Sequence, residues 1–253
     1  MDKTTLTMRK TLGILGMILA PLQVICGAVT HSPMLSISAT HYNPQYLLFE
    51  GLVVAVGIFL IVYRGYDIGD SIACKIAGIG GVLLCYFPTA GGDWNFLAIP
   101  GKVTNIVHLV TALAFFISLA YLIFFRFTKS NSSRKNIVYR IMAILMLASI
   151  FLGGAIDLII KLVAPARYAK IFVGPLFIGE GLGLIFFGLA WLIKGHSLDP
   201  LILRGDYHTL IQYAYNAGLE DKFNFLWEHK KAKKADFNKL QKLLFAEAKK
   251  NNW

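Results

Sequence analysis

Charge is scarce in this chain, and acid is scarcer than base. Only 15% of the 253 residues are Asp, Glu, Lys or Arg, and 14 carboxylates stand against 25 Lys and Arg. Soluble domains carry about 25% charged residues, so a water-exposed globule is excluded for most of the length. Cysteine is nearly absent as well. Cys26, Cys74 and Cys85 lie inside apolar stretches without C-x-x-C spacing, which excludes a disulfide framework and a thiolate zinc site. No G-x-S-x-G or H-E-x-x-H occurs, so the strong catalytic signatures are missing. No internal repeat of about 20–50 residues is visible, which excludes a solenoid.

What remains is long apolar runs. Residues 11–29, 46–63, 71–90, 103–125, 137–160 and 171–193 each approach the roughly 20 apolar residues that cross about 30 Å of hydrocarbon. The expected fold is all-α: a six-transmembrane-helix bundle over 1–195, then a polar, Lys-rich tail of amphipathic helices over 196–253. The basic residues give it an orientation. Lys3, Arg9 and Lys10 precede the first run, and Arg64 and Lys75 flank the turn between the second and third. Arg126, Lys129, Arg134, Lys135 and Arg140 fill the link between the fourth and fifth. The link "THSPMLSISATHYNPQ" has no Lys or Arg. The positive-inside rule then places both termini in the cytoplasm, with "KLVAPARYAK" as the one dissenting link. The first run has a basic start, but its core is long and no A-x-A-like site follows, so it reads as a retained span rather than a cleaved signal.

The tail has an N-cap in Asp206, a helix stop in Gly218, and further helical patterns over 220–231 and 235–250. Its basic focus, "EHKKAKKADF", suits an anionic lipid surface or a protein partner. It has no nucleic-acid module and no aromatic stripe among the basic residues. The bilayer is the partner the composition demands.

Small residues mark helix seams. Gly174, Gly181, Gly188 and Gly195 recur every seven residues, and Cys74, Gly78, Gly81 and Cys85 fall on one helical face. Helices in lipid gain from close approach, which small residues permit.

Polar residues inside the spans carry the functional question, because ionisable groups there face the bundle interior or a wet cavity. Glu180 sits in "FIGEGLGLIFFGLAWLIKG" with no basic neighbour on its own helix. About nine residues, or about 13 Å at 1.5 Å per residue, separate it from the start of the run at 171. His108, Glu50 and Asp157 fall in the same outer half, on three other helices, and Asp157 has Lys161 four residues on as a potential pair. The four form a candidate proton, ion or substrate site. On the cytoplasmic side, "YRGYDIGDSIACK" groups Tyr63, Arg64, Asp67 and Asp70. Asp70 reads as the N-cap of the third run, and Asn136, Tyr139 and Arg140 are placed to pair with the turn. The composition implies no cofactor. Zinc is the one metal the residue types allow, drawing on His31, His41, Asp93 and His108, although their spacing carries no metal signature.

Several stretches together resemble an uncharacterised family of six-span bacterial integral membrane proteins: "SISATHY", "GIFLIVYRGYDIGD", "IAGIGGVLLCYFPT", "VHLVTALAFFISLAYLIFF", "KNIVYR" and "GEGLGLIFFGLAWLIKG". The resemblance covers about residues 30–195. It matches a last span with Glu180, Phe187, Gly188, Trp191, Lys194 and Gly195. It also matches His108 in the fourth span, and Tyr63, Gly65, Tyr66, Asp67 and Asp70 in the second-to-third turn. It implies a bacterial cytoplasmic-membrane location and no activity. Seven-span hydrolases of the alkaline ceramidase type offer a second comparison. This chain lacks their closing H-x-x-x-H, and His31, Ser36, Ser38, His41, Asp93 and His108 would meet only through tertiary contact. The functional expectation is transport or permeation of a proton, cation or small solute through the Glu180 site. A membrane-embedded hydrolase and a membrane anchor whose tail binds a partner are the alternatives.

Overall fold

A computed structural model describes residues 3–65, 67–89, 99–129, 133–195 and 197–198. In the tail it describes 214–215, 218–219, 221, 239, 242–243 and 246. Among the described residues the regular structure is helical, with one isolated bridge between Met34 and Val173. The helices are α1 (Lys3–Thr30), α2 (Tyr46–Val62), α3 (Ile68–Tyr86), α4 (Gly101–Tyr121), α5 (Ser133–Val163), the single turn α6 (Pro165–Tyr168) and α7 (Pro175–Lys194). Five of them, α1, α3, α4, α5 and α7, are long and apolar enough to cross a membrane by length and composition. The sixth apolar run forms α2, which has 17 residues, or about 26 Å at 1.5 Å per residue.

Several boundaries differ from the sequence reading, two of them with consequences for packing. α7 starts at Pro175, not 171, because proline pre-sets the first helical residue and needs no N–H there. α4 gives way at Leu122 to a π segment (Leu122–Arg126) and a 3₁₀ turn (Phe127–Lys129). This widening aims Arg126 back at the start of α3.

Close approach organises the packing. α7 lies between α1 and α5. The seven-residue glycine row does face α1 and the segment after it. Gly181 meets Ala20, Gly188 meets Gly13 and Met17, Gly195 meets Lys10, and Gly174 meets Leu35. A second row, Gly179 and Gly183, faces α5 at Ser149, Gly153, Ile150 and Met146. On the far side, Gly57 of α2 meets Gly78 of α3, and Gly80 of α3 meets Thr111 and Phe115 of α4. The helices follow one another round the bundle in the order α1, α2, α3, α4, α5, α7, closing α7 onto α1.

The link between α1 and α2 folds back into the bundle. Met34 is fully buried. Its N–H donates to Phe172 O at 2.7 Å and its carbonyl accepts from Gly174 N at 2.8 Å, while Phe177 N donates to Leu35 O at 3.1 Å. A 3₁₀ turn, Ser38–Tyr42, follows. Non-helical backbone at membrane depth is tolerated only where its polar groups are satisfied inside the protein, and residues 172–177 supply that here. In the tail, the expected stop is present. Gly218 has φ +66°, its N–H donates to Tyr215 O, and Leu219 N–H donates to Ala214 O, which is a Schellman cap. Asp206 and most of the other tail positions lie outside the described residues.

Gly153 and Gly154 give a controlled test of the α5–α7 seam. A Cβ on Gly153 would stand 2.7 Å from Pro175 O, whereas one on Gly154 meets only Leu176 Cδ1 at 3.8 Å. Gly153→Ala is expected to destabilise the detergent-solubilised protein by about 1–3 kcal/mol and Gly154→Ala to leave it near wild type, measured by denaturant titration. Equal effects at the two positions would show that the seam is not packed this tightly.

Candidate functional site

Glu180 lies five residues into α7, about 8 Å from its start at 1.5 Å per residue. Glu180 is therefore counted from Pro175 rather than from 171, since residues 171–174 are not helical. Its Oε2 accepts the Ile37 N–H at 2.6 Å. Ile37 caps the 3₁₀ turn, so the carboxylate takes up one of that turn's orphan donors. No cation within the described residues makes an ion pair with Glu180.

His108 of α4 is buried. Its Nδ1 lies 3.1 Å from Leu84 O and 2.8 Å from Phe87 O. Two carbonyl acceptors require the proton on Nδ1, which leaves Nε2 as the acceptor of the neutral ring. The Phe87 carbonyl belongs to the residue where α3 ends, and His108 takes up this orphan helix acceptor.

Glu180 and His108 line one cavity of about 40 Å³, with Ser38, Ile37, Leu19 and Phe115 among its walls. One water needs roughly 10–15 Å³ of such space, so about three fit. The polar side chains on its walls are Ser38, Glu180 and His108. This lining suits a hydrogen-bond donor or a cation. The structure thus brings together two of the four expected residues, which lie on helices distant in sequence.

The other two sit elsewhere. Glu50 Oε1 is 2.7 Å from His41 Nδ1, so it engages the link after α1 rather than the cavity. Asp157 accepts the Tyr168 hydroxyl at 3.1 Å. It makes no ion pair with Lys161, whose ammonium instead lies over the Tyr168 ring, 5.0 Å from its centroid. The α6 turn places Tyr168 between them. Burial and the neighbouring Asp157 carboxylate push the Tyr168 phenol up to about 12, so it stays a donor. The metal set does not assemble among the described residues, where no three His, Cys, Asp or Glu groups converge. His31 is exposed with φ 52° at the end of α1, His41 faces Glu50, and Asp93 lies outside the described residues. The three cysteines are thiols.

The charged cluster at the turn between α2 and α3 is present but wired differently. Asp67, not Asp70, caps α3, accepting the Asp70 N–H at 3.0 Å, because the helix begins at Ile68. Arg126 pairs with both Asp67 and Asp70, and Lys129 Nζ lies 2.6 Å from Asp67. The partners therefore come from the end of α4, not from α5. Arg64 is exposed, and Arg140 stacks over Phe124. Tyr63 accepts from the buried Arg9 Nε at 2.9 Å and packs edge-on against Trp191. Tyr66 lies outside the described residues. Lys194 is also buried, its ammonium 3.3 Å from Phe127 O and over the Phe127 and Tyr139 rings. This end is a knot of cations and aromatic rings joining α1, α2, α4, α5 and α7.

Sequence reasoning missed Gln23. It is fully buried in α1, and neither Oε1 nor Nε2 has a hydrogen-bond partner. Its signal was available: apart from Cys26, it is the one polar side chain between Thr11 and Thr30.

The clamp yields two contrasted expectations. The Arg126 and Asp70 side chains are 14% and 7% exposed, and removing one partner of a buried pair costs about 3–5 kcal/mol. Asp70→Asn should therefore lower unfolding free energy by about that amount. The Asp67 carboxyl is exposed and held well below the usual carboxylate range by the Lys129 ammonium, the Asp70 N–H and Arg126. A depressed pKa contributes stability above the unfolded value, 3.8, and loses it as pH falls through the lower folded value. The melting gap between wild type and Asp67→Asn should hold from pH 7 to pH 5 and begin to close only below 3.8. A gap that is already closing at pH 5 would remove this wiring.

In comparisons with known proteins, no family model, no curated protein and no solved structure matches the chain.

Proposed function

We propose that this chain is a six-span protein of the bacterial cytoplasmic membrane, with both termini inside, that passes protons through the cavity between Glu180 and His108. The span count rests on the five long apolar helices together with α2. The orientation rests on the basic residues clustered at the Arg9, Arg64, Arg126 and Lys135 end. The bacterial location rests on the family resemblance of residues 30–195.

One observation carries the proton reading. A carboxylate and a histidine 72 positions apart in the chain line the same small cavity, and no cation among the described residues is fixed on the carboxylate. The cavity, about 40 Å³, is on the scale of water molecules. Glu180 can take a proton directly or through water, and His108 Nε2 can receive one from it. Acids and histidines in such chains are the usual proton relays of membrane proteins.

The test is proton flux into proteoliposomes carrying a pH-sensitive dye, driven by a potassium diffusion potential. Wild type should acidify the lumen above protein-free vesicles. Glu180→Gln, which keeps the shape and the Ile37 contact but cannot exchange a proton, should lower the rate about 10²-fold or more. His108→Ala should lower it as well. Wild-type rates in Glu180→Gln would end the proposal.

A further inference from the structure

We infer that Gln23 holds an internal water on the outer side of Glu180, and that this water is the step by which a proton reaches the carboxylate. The inference rests on the proton reading above and extends it to the route.

Gln23 is placed beside the site by helix register. Leu19, one turn below it on α1, lines the cavity with Glu180. Ala20 packs against Gly181, the residue after Glu180. α1 and α7 run antiparallel, since Gly13 meets Gly188 and Ala20 meets Gly181. Three residues outward from Ala20, Gln23 therefore stands at the level of Phe177–Gly181, beside the segment whose Ile37 N–H binds Glu180.

A carboxamide at this depth with both ends unpartnered is costly, and no partner among the described residues meets it. A cation would satisfy only the carbonyl oxygen. A water satisfies both ends, donating to Oε1 and accepting from Nε2–H, and a buried water makes about 2–4 such bonds. The amide thus selects water rather than a bare ion as its occupant. The polar line continues outward on the same face of α1. Gln23, Gly27 and Thr30 fall at i, i+4 and i+7. Thr30 Oγ1 donates to Gln45 Oε1 at 3.2 Å, and Gln45 Nε2 is a second buried amide donor without a partner. Between the two levels Met34 fills the space that Gly27 leaves, so the line is closed there in this conformation.

The transfer balances. An incoming proton bonds to the water oxygen, and one of the water's own O–H bonds breaks as its proton passes to the Glu180 carboxylate. Water is regenerated and Glu180 becomes neutral.

Gln23→Met tests both parts, because it keeps the side-chain length and removes both polar ends. If Gln23 is hydrated, the variant melts no higher than wild type in detergent and its proton flux falls about tenfold or more. If Gln23 is dry, removing two unsatisfied polar atoms raises the melting temperature by about 2–4 °C, and that rise overturns the inference. Wild-type flux in Gln23→Met also overturns it. Gln23→Ser, which keeps a hydroxyl and leaves room for a further water, covers the case where the methionine variant does not fold. Its flux should stay within about threefold of wild type, and a loss as deep as that of Glu180→Gln counts against the route. The melting comparison does not depend on transport. If wild type carries no flux, the functional reading fails while the hydration of Gln23 is still decided.

Discussion

Backbone polar groups at membrane depth must be satisfied within the protein, and this constraint shapes the half of the bundle around the start of α7. Residues 32–38 leave the helical pattern and turn inward, where no water competes for their N–H and C=O groups. Their hydrogen bonds go to the start of α7. Phe172 and Gly174 take Met34 between them, Phe177 donates to Leu35, and the Glu180 carboxylate accepts from Ile37. Gly174 is needed at this contact, because a Cβ there would collide with the Leu35 backbone. The carboxylate thus has a structural duty before any functional one: it holds the cover over the cavity.

That duty uses one oxygen. A residue kept only to cap a turn would do as well if neutral, since an amide oxygen also accepts an N–H. A carboxylate without a fixed cation, facing a histidine across a space sized for a few waters, is an expensive way to cap a turn. The same group linking cover and cavity means that a change in its charge alters the bond to Ile37.

The other end is built for rigidity. Arg126 ties α3 to the end of α4, and the buried Arg9 and Lys194 lean on aromatic rings and backbone carbonyls. Tyr63, Phe127 and Trp191 meet edge-on there, a geometry that adds to burial. The bundle is therefore fixed at its basic end and has its cavity, its non-helical segment and its unpartnered amides at the other. Motion, if it serves function, belongs to that half.

What the sequence made legible follows from the same physics. The all-α class came through because lipid imposes long apolar runs, and the Gly174–Gly195 row announced its seam by its period. The pairing of Glu180 with His108 could be guessed only as far as depth allowed. Depth also suggested Glu50 and Asp157, and it fails there because depth says nothing about which way a side chain faces. Glu50 turns to His41 and Asp157 to Tyr168, partners set by loops whose course no periodicity encodes. Asp70 was misread as a cap because a helix start one turn earlier makes Asp67 the cap and turns Asp70 inward to Arg126. Gln23 was passed over because an uncharged residue in an apolar run resembles ordinary tolerance. Burial changes its meaning. A carboxylate at depth can neutralise itself by taking a proton, whereas an amide cannot, so an unpartnered buried amide is the stricter sign that something polar belongs beside it.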